Sequence, residues 1–364
     1  MRILYDARYL LIDNRFDGVS RYTLGLARAL SECDDTEMIW LVHDERQLAQ
    51  LPDGEAIFAN DPKDILRETL TLPRLLNSVE KDVVYSPFFM MGTIGHRYPL
   101  VLTIHDMIYF HHRTPPYQFN WWIRLGWRLF HLTYWPMRFI LNQASAVATV
   151  SATAKHELEA ERATKRPITT VLNAVEQDDA PTSSIEHHSS DRIVYMGAFM
   201  PYKNPECLID ALTNLPDVTL DMMSKVTPER RHELEAHARA KGVYERVVFH
   251  DGVSDDQYHQ ALKNARCLVT ASRLEGFGLP IIEAQQQGIP VVCSDIPIFH
   301  EVGAHSVLYF DPESPFALAA QVSKLADSKI STEIIKRGYE NVRRFTWKNS
   351  AKEAISICRA IVKK

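Results

Sequence analysis

At 364 residues the chain has room for two domains, and 46% hydrophobic with 24% charged residues exclude wholesale disorder. The 41 Lys and Arg against 46 Asp and Glu leave a formal net charge of −5, which gives no global reason to expect nucleic-acid binding. Glycine, at 14 residues, is too scarce for a collagen-like array, and the 5 cysteines (Cys33, Cys207, Cys267, Cys293 and Cys358) stand far apart without a CxxC pair. Such a pattern suits reduced thiols in a cytoplasm better than a disulfide framework or a zinc site.

The opening MRILYDARYLL meets Asp6 early and is too short and too charged for a signal peptide. Short apolar runs then alternate with helical stretches. Strands are expected at 3–6, 38–42, 83–86, 100–105, 146–150 and 169–172. Several are continuous apolar runs, as in parallel strands covered by helices on both faces. Helices are expected at 20–31 and 152–163, the second N-capped by Ser151. The segment 177–191, QDDAPTSSIEHHSSD, carries a single large apolar residue and is the expected linker. After it come strands at 192–196, 218–223, 247–251, 267–271, 291–294 and 307–310, alternating with helices at 204–215, 228–241, 255–265 and 280–287. Helices close the chain. Two βαβ series predict two doubly wound α/β domains, with ligands at the carboxyl ends of the strands in a cleft between them.

One stretch is anomalous in charge. Between Asp106 and Glu157 there is no acidic residue, while Arg113, Arg124, Arg128, Arg138 and Lys155 supply positive charge. The same stretch holds Trp121, Trp122, Trp127 and Trp135, with Phe119, Phe130, Tyr134 and Phe139. Three arginines interrupt 119–141, so it is not expected to span a bilayer. Two readings stand: a basic, aromatic amphipathic helix lying on an anionic membrane surface, or a long crossover helix packing its aromatics on the sheet.

The segment with most chemistry is 272–290, SRLEGFGLPIIEAQQQGIP, which follows an expected strand and opens a helix at Pro280. Gly276 and Gly278 let the backbone approach a ligand, and the N–H groups of the loop and helix start suit a phosphate. Glu275 and Glu283 flank that site. Carboxylates beside a phosphate are unfavourable unless they accept hydrogen bonds from hydroxyls, as on a ribose or a hexose, so the arrangement reads as a nucleoside-diphosphate-sugar site. His111-His112 and His187-His188 lack the i,i+4 spacing of metal ligands, and no metal site is expected.

Glu275 and Glu283 within EGFGLPIIEAQQQGIPVV closely resemble the signature of the retaining glycosyltransferases of family 4, also called glycosyl transferases group 1. Further matches follow in the family's order. DGVSRYTLGLARAL (17–30) resembles its first glycine loop and helix, and TIHDMIYF (103–110) its His-Asp loop. TVSATAKHEL (149–158) and VLNAVE (171–176) resemble two inter-domain elements, and YMGAFMPYKNPECLIDAL (195–212) the strand–loop–helix with a phosphate-binding lysine. The resemblance implies the GT-B architecture of two facing Rossmann-like domains around a deep cleft. Residues 1–176 would bind acceptor, 192–347 would bind the nucleotide sugar, and the helix at 348–364 would pack back on the first domain.

The resemblance also implies site residues. Lys203 would meet the diphosphate, Glu275 and His105 the transferred sugar, and Glu283 the ribose. Gly276, Phe277, Gly278 and Leu279 would line the donor, and Gly18 and Arg21 an acceptor or phosphate loop. Where the family usually carries an arginine this chain has Ala198, which leaves Lys203 as the main cation, with Arg273 or Arg21 as helpers. Taken alone, each residue has a plainer reading: Lys203 a solvated lysine, His105 a satisfied core histidine, Asp106 a turn cap, Glu283 a favourable charge near a helix start.

The expected activity is therefore transfer of a sugar, with mannose a candidate, from a nucleoside diphosphate to a glycan or lipid-linked acceptor in polysaccharide or glycolipid synthesis. Retention of configuration, no metal ion, and no cofactor beyond the nucleotide-sugar co-substrate are expected. So is a cytoplasmic protein, peripheral on the cytoplasmic membrane face. Two other classes remain open: a non-catalytic nucleotide-sugar-binding relative, and an epimerase or phosphorylase of the same architecture.

Overall fold

The computed structural model describes residues 1–12, 17–62, 64–115, 121–176 and 190–363. The chain divides into two compact units, Met1–Glu176 with Phe345–Lys364, and Gln177–Arg344. Residues 177–189 of the expected linker, and Phe119, lie outside the described residues.

The first unit runs β1 (Arg2–Asp6), α1 (Gly18–Ser31), β2 (Glu37–Val42), α2 (Glu45–Leu48), β3 (Glu55–Phe58), α3 (Ile65–Asn77), β4 (Val83–Ser86), β5 (Leu100–Ile104), α4 (Ile108–His111), α5 (Trp121–Phe130), α6 (Trp135–Gln143), β6 (Ala146–Thr149), α7 (Ala152–Ala160) and β7 (Ile168–Thr170). Its sheet has the order β3-β2-β1-β4-β5-β6-β7, and every ladder is parallel. Apolar runs such as LVLTI in β5 are buried at every residue, which requires cover on both faces. Side-chain caps set the helix starts: Asp17 accepts from the Ser20 N–H at 2.8 Å, and Ser151 from the Ala154 N–H at 3.0 Å.

The one-turn helices α2 and α4, and two further elements of this unit, escaped the sequence reading. β3 is a four-residue edge strand whose Glu55 and Phe58 are exposed, so it shows no apolar run. α3 contains Pro73, which argues against an uninterrupted helix when only the sequence is in view. The expected long helix at 119–141 is instead two, α5 and α6. The crossover reading, with aromatics packed on the sheet, also fails in part: Trp121, Trp122, Trp135 and Phe139 are exposed.

The second unit runs β8 (Arg192–Tyr195), α8 (Pro205–Ala211), β9 (Thr219–Met222), α9 (Pro228–Ala240), β10 (Val247–Phe249), α10 (Asp255–Lys263), β11 (Cys267–Thr270), α11 (Leu279–Gln286), β12 (Val291–Ser294), α12 (Pro297–Gly303), β13 (Leu308–Phe310), α13 (Pro315–Lys324) and α14 (Ser328–Val342). Its sheet order is β10-β9-β8-β11-β12-β13, again all parallel. This is the doubly wound order, with the direction of winding reversing between β8 and β11. In the first unit the same reversal falls between β1 and β4. Each unit therefore matches the expected Rossmann-like α/β sheet.

The last helix, α15 (Trp347–Val362), belongs to the first unit and packs on α1. The return to that unit begins at Phe345 and not at 348, because Trp347 is itself an anchor. Its indole lies over Gly25, where an added Cβ would stand 2.1 Å from Trp347 Cε2, and its ring meets Tyr22 edge-on at 6.0 Å. Gly25→Ala should therefore destabilise the fold by about 1–3 kcal/mol despite alanine's better helix propensity, because the indole must move. A lowered urea midpoint is expected. A midpoint equal to or above that of the unchanged protein would refute this packing.

Candidate functional site

In the second unit, the reversal between β8 and β11 brings two loops together. The chain leaves β8 through Gly197 and Ala198 into a single 3-10 turn, Pro201–Lys203, which ends at Asn204 in the left-handed region (φ 55°) before Pro205 opens α8. The other loop leaves β11 at Thr270 and reaches α11 through Gly278, whose φ of +99° and close approach to Phe299 exclude a side chain. Because β8 and β11 are hydrogen-bonded neighbours, the loops run side by side. The Arg273 N–H donates to the Tyr202 carbonyl at 2.7 Å.

That stitching places Lys203 against Glu275. The Lys203 ammonium donates to Glu275 Oε1 in an ion pair whose side chains are 13% and 16% exposed. Ser272 Oγ lies 3.4 Å from the same carboxylate oxygen, and Thr270 Oγ1 lies 3.3 Å from Ser272 Oγ. At this exposure little water screens the pair, so each charge is felt strongly by a nearby ligand. The start of α11 carries no side-chain cap; Pro280 has no N–H and the Ile281 N–H donates to the Gly278 carbonyl at 3.0 Å, so the first-turn amide that could face an anion is that of Leu279. Phe277 is buried, Gly276 and Leu279 are half-buried, and Glu283 is buried on the inner side of α11.

The expected helper Arg273 is committed elsewhere. Its guanidinium pairs with both oxygens of Glu313 and reaches the Pro201 carbonyl at 3.2 Å, so it braces the loop. Ala198 is exposed, and Arg21 stands on α1 in the first unit, half-buried.

In the first unit, His105 follows β5. Its Nε2 lies 2.8 Å from the Pro87 carbonyl, an acceptor, so Nε2 carries the proton and the neutral ring keeps Nδ1 as its acceptor. Tyr22 meets the imidazole edge-on at 5.0 Å. Burial pushes the His105 pKa below the usual histidine range, although the Pro87 carbonyl and the Asp17 carboxylate pull it upward. Asp17 caps α1 beside Gly18, which is exposed with open space where a Cβ would stand. Asp106 accepts the Ile108 N–H at 3.0 Å, the turn-capping role open to it from sequence.

A buried ionic cluster at the end of β1 has no counterpart in the sequence reading. Arg8 donates Nε to Asp6 Oδ1 (2.8 Å), Nη2 to Asp6 Oδ2 (2.8 Å) and to Glu68 Oε1 (2.9 Å), and Nη1 to Glu68 Oε2 (2.6 Å) and the Asn60 carbonyl (3.2 Å). All its donors are satisfied. Glu68 also accepts the Gly92 N–H at 3.2 Å, so the cluster ties together chain following β1, β3 and β4. Asp6 and Arg8 stand two residues apart at a strand end and could be seen in sequence. Glu68, sixty positions further on, could not.

Comparison with known proteins adds two family matches, together spanning most of the chain. "Glycosyltransferase Family 4" matches residues 16–179 and "Glycosyl transferases group 1" matches residues 177–342. The O-antigen chain mannosyltransferase B of Escherichia coli is 26% identical over 373 residues, covering 93% of this chain and 95% of that protein. The serotype-specific mannosyltransferase WbdA of Escherichia coli is 36% identical over 99 residues, and this stretch is only 12% of that longer protein. Among solved structures, Anabaena Alr3699/HepE, determined with UDP and glucose, superposes with a TM-score of 0.75 at 17% identity, over 99% of this chain and 100% of that one. At that identity the likeness establishes the fold.

Proposed function

This chain belongs to the family 4 type of glycosyltransferases, and from that premise we propose that it transfers mannose from a nucleoside diphosphate to a growing surface polysaccharide. The acceptor would be a glycan carried on a lipid, met at the cytoplasmic face of an anionic membrane. Transfer would retain the anomeric configuration and need no metal. The observation that carries this reading is the Lys203–Glu275 pair beside the uncapped start of α11, at the point where the sheet of the second unit reverses its winding. Mannose is supported by the names of the relatives, one of them matched along nearly its whole length.

The roles follow from charge. As the bond between the anomeric carbon and the diphosphate oxygen breaks, its electron pair leaves with the diphosphate, an acceptor hydroxyl oxygen bonds to that carbon, and the hydroxyl proton passes to the departing diphosphate. The Lys203 ammonium and the amides of Gly276, Gly278 and Leu279 stabilise the charge that grows there. Glu283 accepts hydrogen bonds from the ribose hydroxyls and Glu275 from hydroxyls of the sugar. His105, neutral at physiological pH, offers Nδ1 to a sugar hydroxyl. Gly18 and Arg21 serve the acceptor. No carboxylate is assigned as a nucleophile.

The test is a thermal-shift series with GDP-, UDP-, ADP- and dTDP-mannose, followed by a transfer assay to a lipid-linked acceptor with and without EDTA. A donor at one hundred times its Kd should stabilise by about 2.7 kcal/mol and raise Tm visibly. Transfer should survive EDTA. Binding without turnover would make the chain a non-catalytic relative. Loss of transfer in EDTA with recovery on adding Mg²⁺ would overturn metal independence.

A further inference from the structure

An amphipathic helix of a folded domain normally turns its apolar side inward. The helix α5 turns it outward. None of its 10 residues is buried, while Trp122 is 65% and Leu129 62% exposed. Trp122, Leu125 and Leu129 are spaced at i, i+3 and i+7, and Leu132 extends the stripe past the helix end. The opposite face holds α5 to the fold: Trp127 meets Tyr109 edge-on at 5.0 Å, and Phe130 lies 6.4 Å from Phe110. Next in the chain, α6 is anchored by the fully buried Met137 and Leu141, yet it exposes Trp135, stacked on Phe139 at 5.8 Å. The apolar stripe thus faces away from the side on which Trp127 and Phe130 contact the fold.

The charge around it selects the occupant. Residues 107–156 contain no Asp or Glu, within a chain whose net charge is −5. Arg128 is exposed on α5 itself, and Arg113, exposed after α4, acts electrostatically on Tyr134 at the start of α6. A second copy of this chain meeting itself across a two-fold axis would set this basic surface against its like. An anionic bilayer is complementary, and tryptophan rings favour its headgroup level. No helix among the described residues is long and apolar enough to cross a membrane, and α5, at about 15 Å, has the length to lie in the interface.

We propose that α5 and the start of α6 form a bilayer-docking element. Trp122, Leu125, Leu129 and Leu132 enter the acyl boundary of an anionic leaflet, and Arg113 and Arg128 sit among its phosphates. This proposal rests on the lipid-linked acceptor reading above and assigns the part of the molecule that meets the membrane.

Sedimentation with phosphatidylcholine vesicles, with and without an equal share of phosphatidylglycerol, tests it. The full-length protein should bind the anionic vesicles at 50 mM salt, bind several-fold more weakly at 300 mM, and show a blue-shifted tryptophan emission when bound. The double variant W122Q/L129Q should lose at least ten-fold in vesicle affinity, and R128Q should reduce the salt dependence. Both alter exposed side chains, so an unchanged Tm is expected and checks the fold. Donor binding by thermal shift should match the unaltered protein in both variants. Absence of binding to anionic vesicles at low salt would overturn the docking element, as would equal binding by W122Q/L129Q. If donor binding and transfer to a detergent-soluble acceptor persist in that case, the glycosyltransferase reading stands without it.

Discussion

Replacing Lys203 with alanine should lower kcat by about 10²-fold or more. Charge on the diphosphate grows as the sugar leaves, so the ammonium stabilises the transition state more than the bound donor. The structure enlarges the expected loss, because the same substitution leaves Glu275 as an unneutralised carboxylate beside the departing anion. K203A/E275Q should therefore recover part of what K203A loses in donor affinity, although the proposed sugar contact of Glu275 goes with it. Glu283→Ala should behave differently. In its proposed role Glu283 holds the ribose alike in the ground and transition states, so donor KM should rise while kcat changes little. Steady-state kinetics with varied donor separate the two. Normal kcat and KM in K203A, with the fold intact, would remove the proposed donor site.

Arg8→Met should destabilise the protein by about 3–5 kcal/mol, the range seen when one partner of a buried ionic cluster is removed. Asp6, Arg8 and Glu68 are 0%, 2% and 5% exposed, and Arg8 is the cation between two carboxylates. Burial alone would weaken its hold on the proton, yet Asp6 and Glu68 keep the guanidinium firmly charged. Methionine leaves both carboxylates buried beside an apolar group, and the chain segments they tie together lose their common anchor. The triple variant D6N/R8M/E68Q, which removes every charge, should be more stable than R8M. Urea unfolding of purified variants reads both effects. An R8M midpoint equal to that of the unaltered protein would show that the cluster does not hold this end of the sheet.

The features legible in the residues were local ones. Apolar runs at β1, β4, β5 and β11 announce parallel strands because each is covered on both faces and needs no alternation. Ser151 announces a helix start because a cap acts within three residues, whereas the Asp17 cap that starts α1 at Gly18 escapes the sequence reading. EGFGLPIIE announces a tight strand-to-helix turn because the positive φ at 278 calls for glycine and Pro280 suits a helix start. β3 and α3 were lost where the local signal was weak, at an exposed edge strand and at a helix containing Pro73.

What only the tertiary structure decided was which distant groups meet. Lys203 and Glu275 are 72 positions apart and pair because β8 and β11 are neighbours in the sheet, an adjacency set by strand order. Arg273 has the charge of a phosphate ligand, and the proximity of Glu313 makes it a brace. Asp6 and Arg8 are an unremarkable pair until α3 delivers Glu68. The stripe on α5 shows the limit most plainly. Hydropathy reveals that Trp122, Leu125 and Leu129 share a face, but an apolar face has the same periodicity whether it looks into a core or away from one. Its direction is fixed by what packs on the other side, and here Tyr109 and Phe110 claim that side.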